Sequence, residues 1–127
     1  MTIETKVRGL QDGLARARQE LAQLAATETY SDALWSAIRK VAIYEGEITV
    51  WSEYHEVYAD ASARHPDDPS RVQYQCMRNL TRLLMNGPDD TWSGRGNDTR
   101  RARYDGKCTA VQDVYYDILN QHRHLSD

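Results

Sequence analysis

Apolar residues recur at alternating intervals of four and three in three separate segments of this chain, and that spacing restricts the possible folds more than any other property. In the first segment the positions are Ile3, Val7, Leu10, Leu14, Ala17, Leu21 and Leu24. The second has Ala37, Val41, Tyr44, Ile48, Trp51, His55 and Tyr58, and the third has Tyr104, Cys108, Val111, Tyr115, Ile118, His122 and Leu125. Such heptad-like stripes place side chains on one face of an α-helix, which then packs against other helices. The sequence therefore predicts an all-α fold with coiled-coil-like seams.

Capping and helix-breaking residues set the boundaries of four predicted helices. Residues 29–32 have the pattern of a capping box for the second helix, and Pro66 ends that helix because proline disfavours α geometry in the residue before it. Residues 70–73 repeat the capping pattern for the third helix, and the Asn-Gly-Pro run at 86–88 stops it. Asp98 is a suitable N-cap for the last helix. The helices are predicted at about 3–26, 31–64, 70–86 and 98–124.

These elements are expected to form one domain, residues 1–127, because 127 residues is the usual size of a single domain. The second helix would have about 34 residues and a length of roughly 50 Å, so it must lie against other helices or another copy of itself. Short connections join the first three helices, which predicts a four-helix antiparallel bundle. The loop 87–98 is long enough to cross the end of that bundle.

Glycine inside a helix costs about 1 kcal/mol relative to alanine, and the predicted helices contain Gly9, Gly13 and Gly106. Gly9 and Gly13 share one face of the first helix, and they either admit a close neighbouring helix or are simply tolerated. Gly106 is interpreted as a local weakness in the last helix.

Charge and hydropathy restrict the compartment and the general classes of partner. The net charge is −3, which predicts no general affinity for nucleic acid or anionic membranes. Residues 1–10 contain Glu4, Lys6 and Arg8 and lack the apolar core of a signal peptide. No apolar run approaches the roughly 20 residues that span a bilayer. We expect a cytoplasmic protein without membrane association.

The most unusual stretch is an arginine-rich segment at the predicted loop and the start of the last helix. Residues 95–107 carry a net charge of +3, from Arg95, Arg100, Arg101, Arg103 and Lys107 against Asp98 and Asp105. Cations near a helix N-terminus are disfavoured by about 0.3–1 kcal/mol each, and a bound anion would compensate them. Aromatic side chains beside the segment could stack on nucleic-acid bases. One hypothesis is therefore a site for an anion or an acidic partner, made by Trp92, Arg95, Arg100, Arg101, Arg103 and Tyr104.

A structural role for the same arginines is the competing interpretation, and it is the favoured one. Residues 27–68 contain nine acids and three bases, a net charge of −6. Arginines of the segment could pair with this acidic helix and hold the loop in place. An internal clamp and an external binding site both remain open at this point.

A secondary basic face is predicted on the third helix. Arg71, Arg78 and Arg82 are spaced seven and four residues apart, so they share one side, and no acid occurs between positions 70 and 86. Together with the loop arginines they could form a basic patch for nucleic acid. The sequence pI of about 5.8 and the lack of a nucleic-acid-binding motif favour a solvated or partner-facing stripe instead.

Patterns for catalysis, metals and cofactors do not occur in the sequence. A di-iron bundle needs Glu-x-x-His pairs, and an α/β-hydrolase needs G-x-S-x-G; neither is present. Cys76 and Cys108 have no C-x-x-C partner and are expected to be buried small hydrophobes. We therefore expect no catalytic residue, no metal and no cofactor.

The aromatic and arginine content points to a function in association. The chain has 8 Tyr and 3 Trp but no Phe, and aromatic residues with Arg are typical of interface hot spots. Tyr54 and Tyr116 flank the seams and are expected to be exposed. We hypothesise a non-enzymatic helical protein–protein interaction module, either a homodimer or a subunit that docks on a larger protein, and a bacterial or phage accessory protein fits the arginine bias. The alternative is an anion- or nucleic-acid-binding module that uses residues 95–103.

Overall fold

The computed structural model describes the backbone of residues 2–27, 31–85 and 95–126, and the side chains of residues 2–27, 31–83 and 99–120. This part of the chain contains four α-helices and no strand. The helices are α1 (Ile3–Thr27), α2 (Asp32–Arg64), α3 (Pro69–Met85) and α4 (Arg95–Ser126). The predicted all-α fold with four helices is confirmed, and the long second helix has 33 residues.

Side-chain caps place two helix starts one residue away from the predicted positions. Ser31 caps α2, because the Leu34 amide donates to its Oγ at 3.1 Å. Asp68 rather than Ser70 caps α3: the Arg71 amide donates to the Asp68 carboxylate at 3.1 Å. Pro69 then occupies the first helical position, where its missing N–H has no consequence and its fixed φ suits the helix.

The fourth helix begins earlier than the sequence predicted. It starts at Arg95, so Asp98 lies inside α4 and is not its N-cap. Residues 95–97 of the predicted loop are helical as well, so the helix begins about one turn earlier than predicted. The rest of that loop, including Trp92, lies outside the described residues.

Consecutive helices run antiparallel, so α2 and α4 run parallel to each other. In the described residues α2 contacts all three other helices, and the backbone of α1 approaches α2 alone. Gly13 of α1 lies under the ring of Tyr44, whereas Gly46, two residues further along α2, lies against the α4 backbone. Two residues correspond to about 200° around a helix. The first and fourth helices therefore lie on opposite sides of α2.

The contact between α2 and α4 uses small residues at intervals of four, which corrects the predicted face of α4. The buried positions of α4 are Ala102, Gly106, Ala110, Val114 and Ile118. They face Ala42, Gly46, Val50 and Tyr54 of α2, which are buried as well. The predicted stripe is only half-buried at Tyr104, Cys108 and Val111, and Tyr115 is 42% exposed. Small residues occupy this interface because they allow the two helix backbones to come close together.

The structure corrects two further expectations about single residues and confirms a third. Tyr54, expected to be exposed, is only 1% exposed and packs edge-to-face against Trp51. His55, assigned to the seam, is exposed. Tyr116 is 64% exposed, which confirms its prediction.

The apolar stripe of α1 packs as the heptad spacing predicted. Leu10 and Ala17 are buried, and the other positions of the stripe are half-buried. Gly13 has a close helix neighbour, since a Cβ there would lie 2.7 Å from the Tyr44 ring. Gly9 has nothing within 4 Å and is simply tolerated.

Candidate functional site

Within the arginine-rich segment, Arg103 forms an ion pair with the acidic second helix. Its Nη2 lies 3.4 Å from Oε1 of Glu45, whose other oxygen lies 3.8 Å from Arg18 of α1. Glu45 is half-buried between the two arginines. This carboxylate therefore links α1, α2 and α4, which is the internal clamp that the acidic charge of residues 27–68 predicted for such an arginine.

The structure describes three other side chains predicted for this site, those of Arg100, Arg101 and Tyr104. Arg100 and Arg101 are exposed, and each takes part in at least one polar or electrostatic interaction. Tyr104 is half-buried, and a hydrogen bond with the Cys108 thiol raises the pKa of its hydroxyl. The side chains of Trp92 and Arg95 lie outside the described residues. Their assignment to an anion site stays a prediction.

The early start of α4 removes the electrostatic need for an anion at that site. Arg100, Arg101 and Arg103 lie in the second and third turns of a helix that begins at Arg95. The helix dipole acts mainly within the first turn. These three arginines are therefore not disfavoured by the helix end, and they need no bound anion to compensate them.

A groove of about 1020 Å³ runs between the second half of α2 and α3. Its apolar floor includes Val57, Ala61 and Met77. The α2 wall carries Glu56 and Asp60, and the α3 wall carries Tyr74, Arg78 and Arg82. Glu56 and Asp60 therefore make one stretch of the α2 wall acidic, whereas the α3 wall is basic, and apolar surface lies between them. Beyond Asp60 the α2 side is lined by Arg64 and His65.

The predicted basic face of α3 divides into a structural residue and exposed ones. Arg82 donates to Glu53 of α2 at 2.9 Å and to the Asn79 side chain at 3.0 Å, so it fixes α3 against α2. Asn79 is 8% exposed, and the hydrogen bond from Arg82 provides its side-chain carbonyl oxygen with a donor. Arg71 and Arg78 are exposed, and neither has an ion-pair partner within the described part of the chain. Arg78 lies in the groove wall.

The acidic residues of the α2 wall likewise include one that is paired and one that is not. Asp60 accepts from Arg64, one turn further along α2, at 3.3 Å. Glu56 is exposed and has no ion-pair partner among the described side chains. Opposite charges thus line the two walls at Glu56 and Arg78 without pairing to each other. Tyr74, one turn before Arg78 on α3, also lines the groove and is 61% exposed.

Sequence reasoning identified the basic face but missed the groove. The sequence pattern that could have indicated the groove is a row of acids at positions 53, 56 and 60 and a row of bases at 71, 78 and 82. A short proline-containing linker joins the two helices that carry them. A short linker makes the two helices antiparallel neighbours. The distance between their facing side chains, which makes a groove rather than a row of ion pairs, is not encoded in that pattern.

A smaller cavity of about 200 Å³ lies among α2, α3 and α4, lined by Tyr54, Tyr58, His65, Cys76 and Ile118 among others. The Tyr54 hydroxyl donates to the Asp117 carboxylate at 2.8 Å, and burial together with this bond raises the pKa of Tyr54. Burial also raises the pKa of the Cys76 thiol to about 11. A buried neutral thiol is a poor nucleophile, so this cavity has the properties of core packing.

Between α1 and α2 the indole of Trp51 lies under a cation. Lys6 Nζ is 5.7 Å from the ring centroid, within the range of a cation–π contact. Trp51 Nε1 is buried and has no hydrogen-bond acceptor among the described residues. Burial raises the pKa of Glu47 nearby, while Lys6 lowers it and Asp113 raises it.

Among the side chains that the structure describes, no three His, Cys, Asp or Glu residues lie close enough together to hold a metal ion. In the same residues, no helix has both the length and the apolar character needed to cross a membrane. Neither family models, nor curated proteins, nor solved structures give a match to this chain. Its function is therefore argued from the residues themselves.

Proposed function

We propose that this chain is a non-enzymatic helical protein–protein interaction module and that the groove between α2 and α3 is its docking surface. The observation that carries this proposal is the pair of opposed charges at Glu56 and Arg78, which line one groove without an ion-pair partner in the described residues. Both charges are available to a partner. The apolar floor between them supplies the burial that association needs.

The composition of the groove resembles that of a binding hot spot. Tyr74 and Arg78 stand side by side on α3, and Tyr and Arg are the residue types that contribute most to protein interfaces. Met77 adds an adaptable apolar surface. A groove between two antiparallel helices is also a usual receptor for a third helix, whose apolar face enters between them.

Charge favours a protein over a nucleic acid as the occupant of this groove. Glu56 and Asp60 would repel a phosphate backbone from their stretch of the α2 wall. A protein helix can present basic residues to that wall and acidic residues to Arg78. The groove therefore selects a ligand with both signs of charge.

A binding site for anions or nucleic acid in the arginine-rich segment remains the second candidate. The exposed neighbours Arg100 and Arg101 on one turn of α4 favour it. Fluorescence anisotropy with labelled single-stranded DNA tests it, because such binding weakens steeply as salt rises. If Ala at positions 95, 100, 101 and 103 leaves DNA binding unchanged and only lowers stability, the candidate is rejected.

A photocrosslinking amino acid in place of Tyr74 tests the docking groove in the cells that express the chain. Tyr116 is the matched control, because it is exposed to nearly the same degree, 64% against 61%, but lies on α4 outside the groove. We expect a protein adduct from position 74 that is weak or absent from position 116. The adduct should also disappear when Arg78→Glu is added.

Mass spectrometry of the adduct identifies the partner and the crosslinked residue. Equal adducts from positions 74 and 116, or no adduct from position 74, would contradict the proposed function. Circular dichroism of each variant shows whether its helices are intact, so a lost adduct can be assigned to the surface and not to unfolding.

A further inference from the structure

The partner that best fits the groove is another molecule of the same chain. We infer that two copies associate groove to groove, with Glu56 of each copy opposite Arg78 of the other. This inference rests on the proposed docking function and names the occupant of the same surface. It is carried by the arrangement of charge along the two walls.

The register of α2 against α3 places the two unpaired charges close to one level of the groove. Arg82 of α3 is bound to Glu53 of α2, and this contact shows the register of the two helices. Because the helices are antiparallel, one turn further along α2 corresponds to one turn back along α3. That step leads from Glu53 to Glu56 and from Arg82 to Arg78.

Two copies whose grooves face each other can be related by a twofold axis that runs parallel to the groove. This rotation brings the acidic stretch of one copy opposite the basic wall of the other. In the resulting dimer the α2 wall of one copy faces the α3 wall of the second copy. Symmetry makes the contact twice, so two Glu56–Arg78 pairs form and both exposed tyrosines enter the interface. Every charge left without a partner at this level of the groove is then compensated.

A dimer with its twofold axis perpendicular to the groove does not bring opposite charges together. An axis across the groove would place the acidic wall against itself and the basic wall against itself, which opposes association. Beyond Asp60 the α2 wall carries Arg64, so it is no longer acidic there. The favourable contact is therefore centred on Glu56, Tyr74 and Arg78.

Charge reversal followed by sedimentation equilibrium tests the inference on the full chain. We expect the wild-type chain to form a dimer that weakens as salt increases. Glu56→Arg and Arg78→Glu should each remove the dimer at the same protein concentration, with at least a tenfold weaker association. Asp12→Arg, an exposed charge reversal on α1, is the control and should leave the dimer intact.

Mixing the two groove variants gives the decisive result. A copy with Glu56→Arg has two basic positions, and a copy with Arg78→Glu has two acidic ones, so an equimolar mixture should form a heterodimer although each variant alone is monomeric. The double variant E56R/R78E should dimerise again with itself, because both pairs are restored in reverse. Rescue of this kind cannot result from loss of folding.

Two outcomes overturn the inference. One is a monomeric wild-type chain at all concentrations, and the other is a dimer that neither charge reversal changes. If the chain is monomeric but position 74 crosslinks to a different protein and Arg78→Glu removes that adduct, the docking function stands and only the second copy is excluded. If position 74 gives no adduct at all, both proposals fail.

Discussion

Gly46 on α2 and Gly106 on α4 form a reciprocal backbone contact. A Cβ on Gly46 would overlap the carbonyl oxygen of Arg103, three residues before Gly106. A Cβ on Gly106 would overlap the carbonyl oxygen of Ile43, three residues before Gly46. Each helix therefore uses its glycine to receive the backbone of the other, and this contact determines how closely the two longest helices pack.

Alanine at either of these glycines is expected to destabilise the fold. In an ordinary helix Gly→Ala gains about 1 kcal/mol from helix propensity. Here the obstacle is backbone, so the helices must separate, and overpacking of this kind costs about 1–3 kcal/mol or more. We expect the cost to exceed the gain, so that Gly46→Ala and Gly106→Ala lower the free energy of unfolding measured in urea.

Gly9→Ala is the matched control for that measurement. A Cβ at Gly9 meets nothing within 4 Å, so only helix propensity acts, and the variant should gain up to about 1 kcal/mol. If Gly46→Ala and Gly106→Ala were as stable as Gly9→Ala, the close contact between α2 and α4 would be disproved.

The hydrogen bond from Tyr54 to Asp117 is expected to stabilise the packing of α2 on α4. Tyr54→Phe removes the donor and should lower the free energy of unfolding by about 1–3 kcal/mol, because a hydrogen bond to a charged acceptor is lost. Tyr116→Phe makes the same chemical change at an exposed site and should have almost no effect. Equal effects of the two substitutions on stability would argue against the bond.

Stability is expected to fall at alkaline pH, because folding raises the pKa of two buried groups. Cys76 has its pKa raised to about 11 from 9.0, and that of Tyr54 is raised above its ordinary value of 10.0. An acid with a raised pKa in the folded state binds its proton more tightly there, so its contribution is complete below the ordinary pKa. That contribution is lost as pH rises toward the folded value.

The resulting window begins near pH 9 for the thiol and near pH 10 for the phenol. Unfolding free energies at several pH values between 7 and 11 measure it. Cys76→Ala should reduce the slope between pH 9 and 11 whatever its effect at pH 7. A slope that does not change in this variant would contradict the assignment to Cys76.

The two thiols are expected to react at different rates in the folded protein. Cys76 is 2% exposed and has a raised pKa, whereas Cys108 is half-buried. A disulfide reagent at pH 8 should therefore label Cys108 first and Cys76 only after unfolding. Cys108→Ser should abolish the fast labelling phase, and Cys76→Ser should preserve it. The reverse assignment would mean that the α3 face is not packed as described.

The Arg103–Glu45 pair is expected to be weak and sensitive to salt. The side chains are 40% and 33% exposed, so a double-mutant cycle with Arg103→Ala and Glu45→Gln should give a coupling energy of about 0.2–1 kcal/mol that decreases at high salt. Lys40→Ala with Glu45→Gln provides a control cycle, since Lys40 pairs with Glu20 instead. Coupling in the control as large as that of Arg103 would contradict a specific pair.

Helix number, approximate ends and the α1 seam could be predicted, because they depend on spacing and on local capping chemistry. Ile3 to Leu24 follow a heptad pattern that the structure uses as expected. Ile118 was predicted correctly on the buried face of α4. Elsewhere that face was predicted wrongly, because the spacing favoured bulky side chains such as Tyr104 and Tyr115 over the smaller Ala102. A large side chain stabilises a helix interface only where the interface has space for it, and here the backbone of α2 occupies that space.

The groove was also predictable only in part from the sequence. Charges at positions 56 and 78 are visible in the sequence, and so is the basic face to which Arg78 belongs. That Arg82 is bound to Glu53 while Arg78 is left without a described partner depends on the register of two packed helices. The acceptor of the buried Tyr54 hydroxyl is likewise Asp117, which lies 63 residues away in the chain.

Periodicity and capping are properties of neighbouring residues, and they are enough to specify four α-helices, the length of the second and the antiparallel course of the chain. Which side of each helix is buried, which charges pair and where a groove opens exist only after the helices have come together. The reason is steric: a Cβ at position 46 or 106 is harmless in an isolated helix, and its consequence appears only when another backbone lies against it.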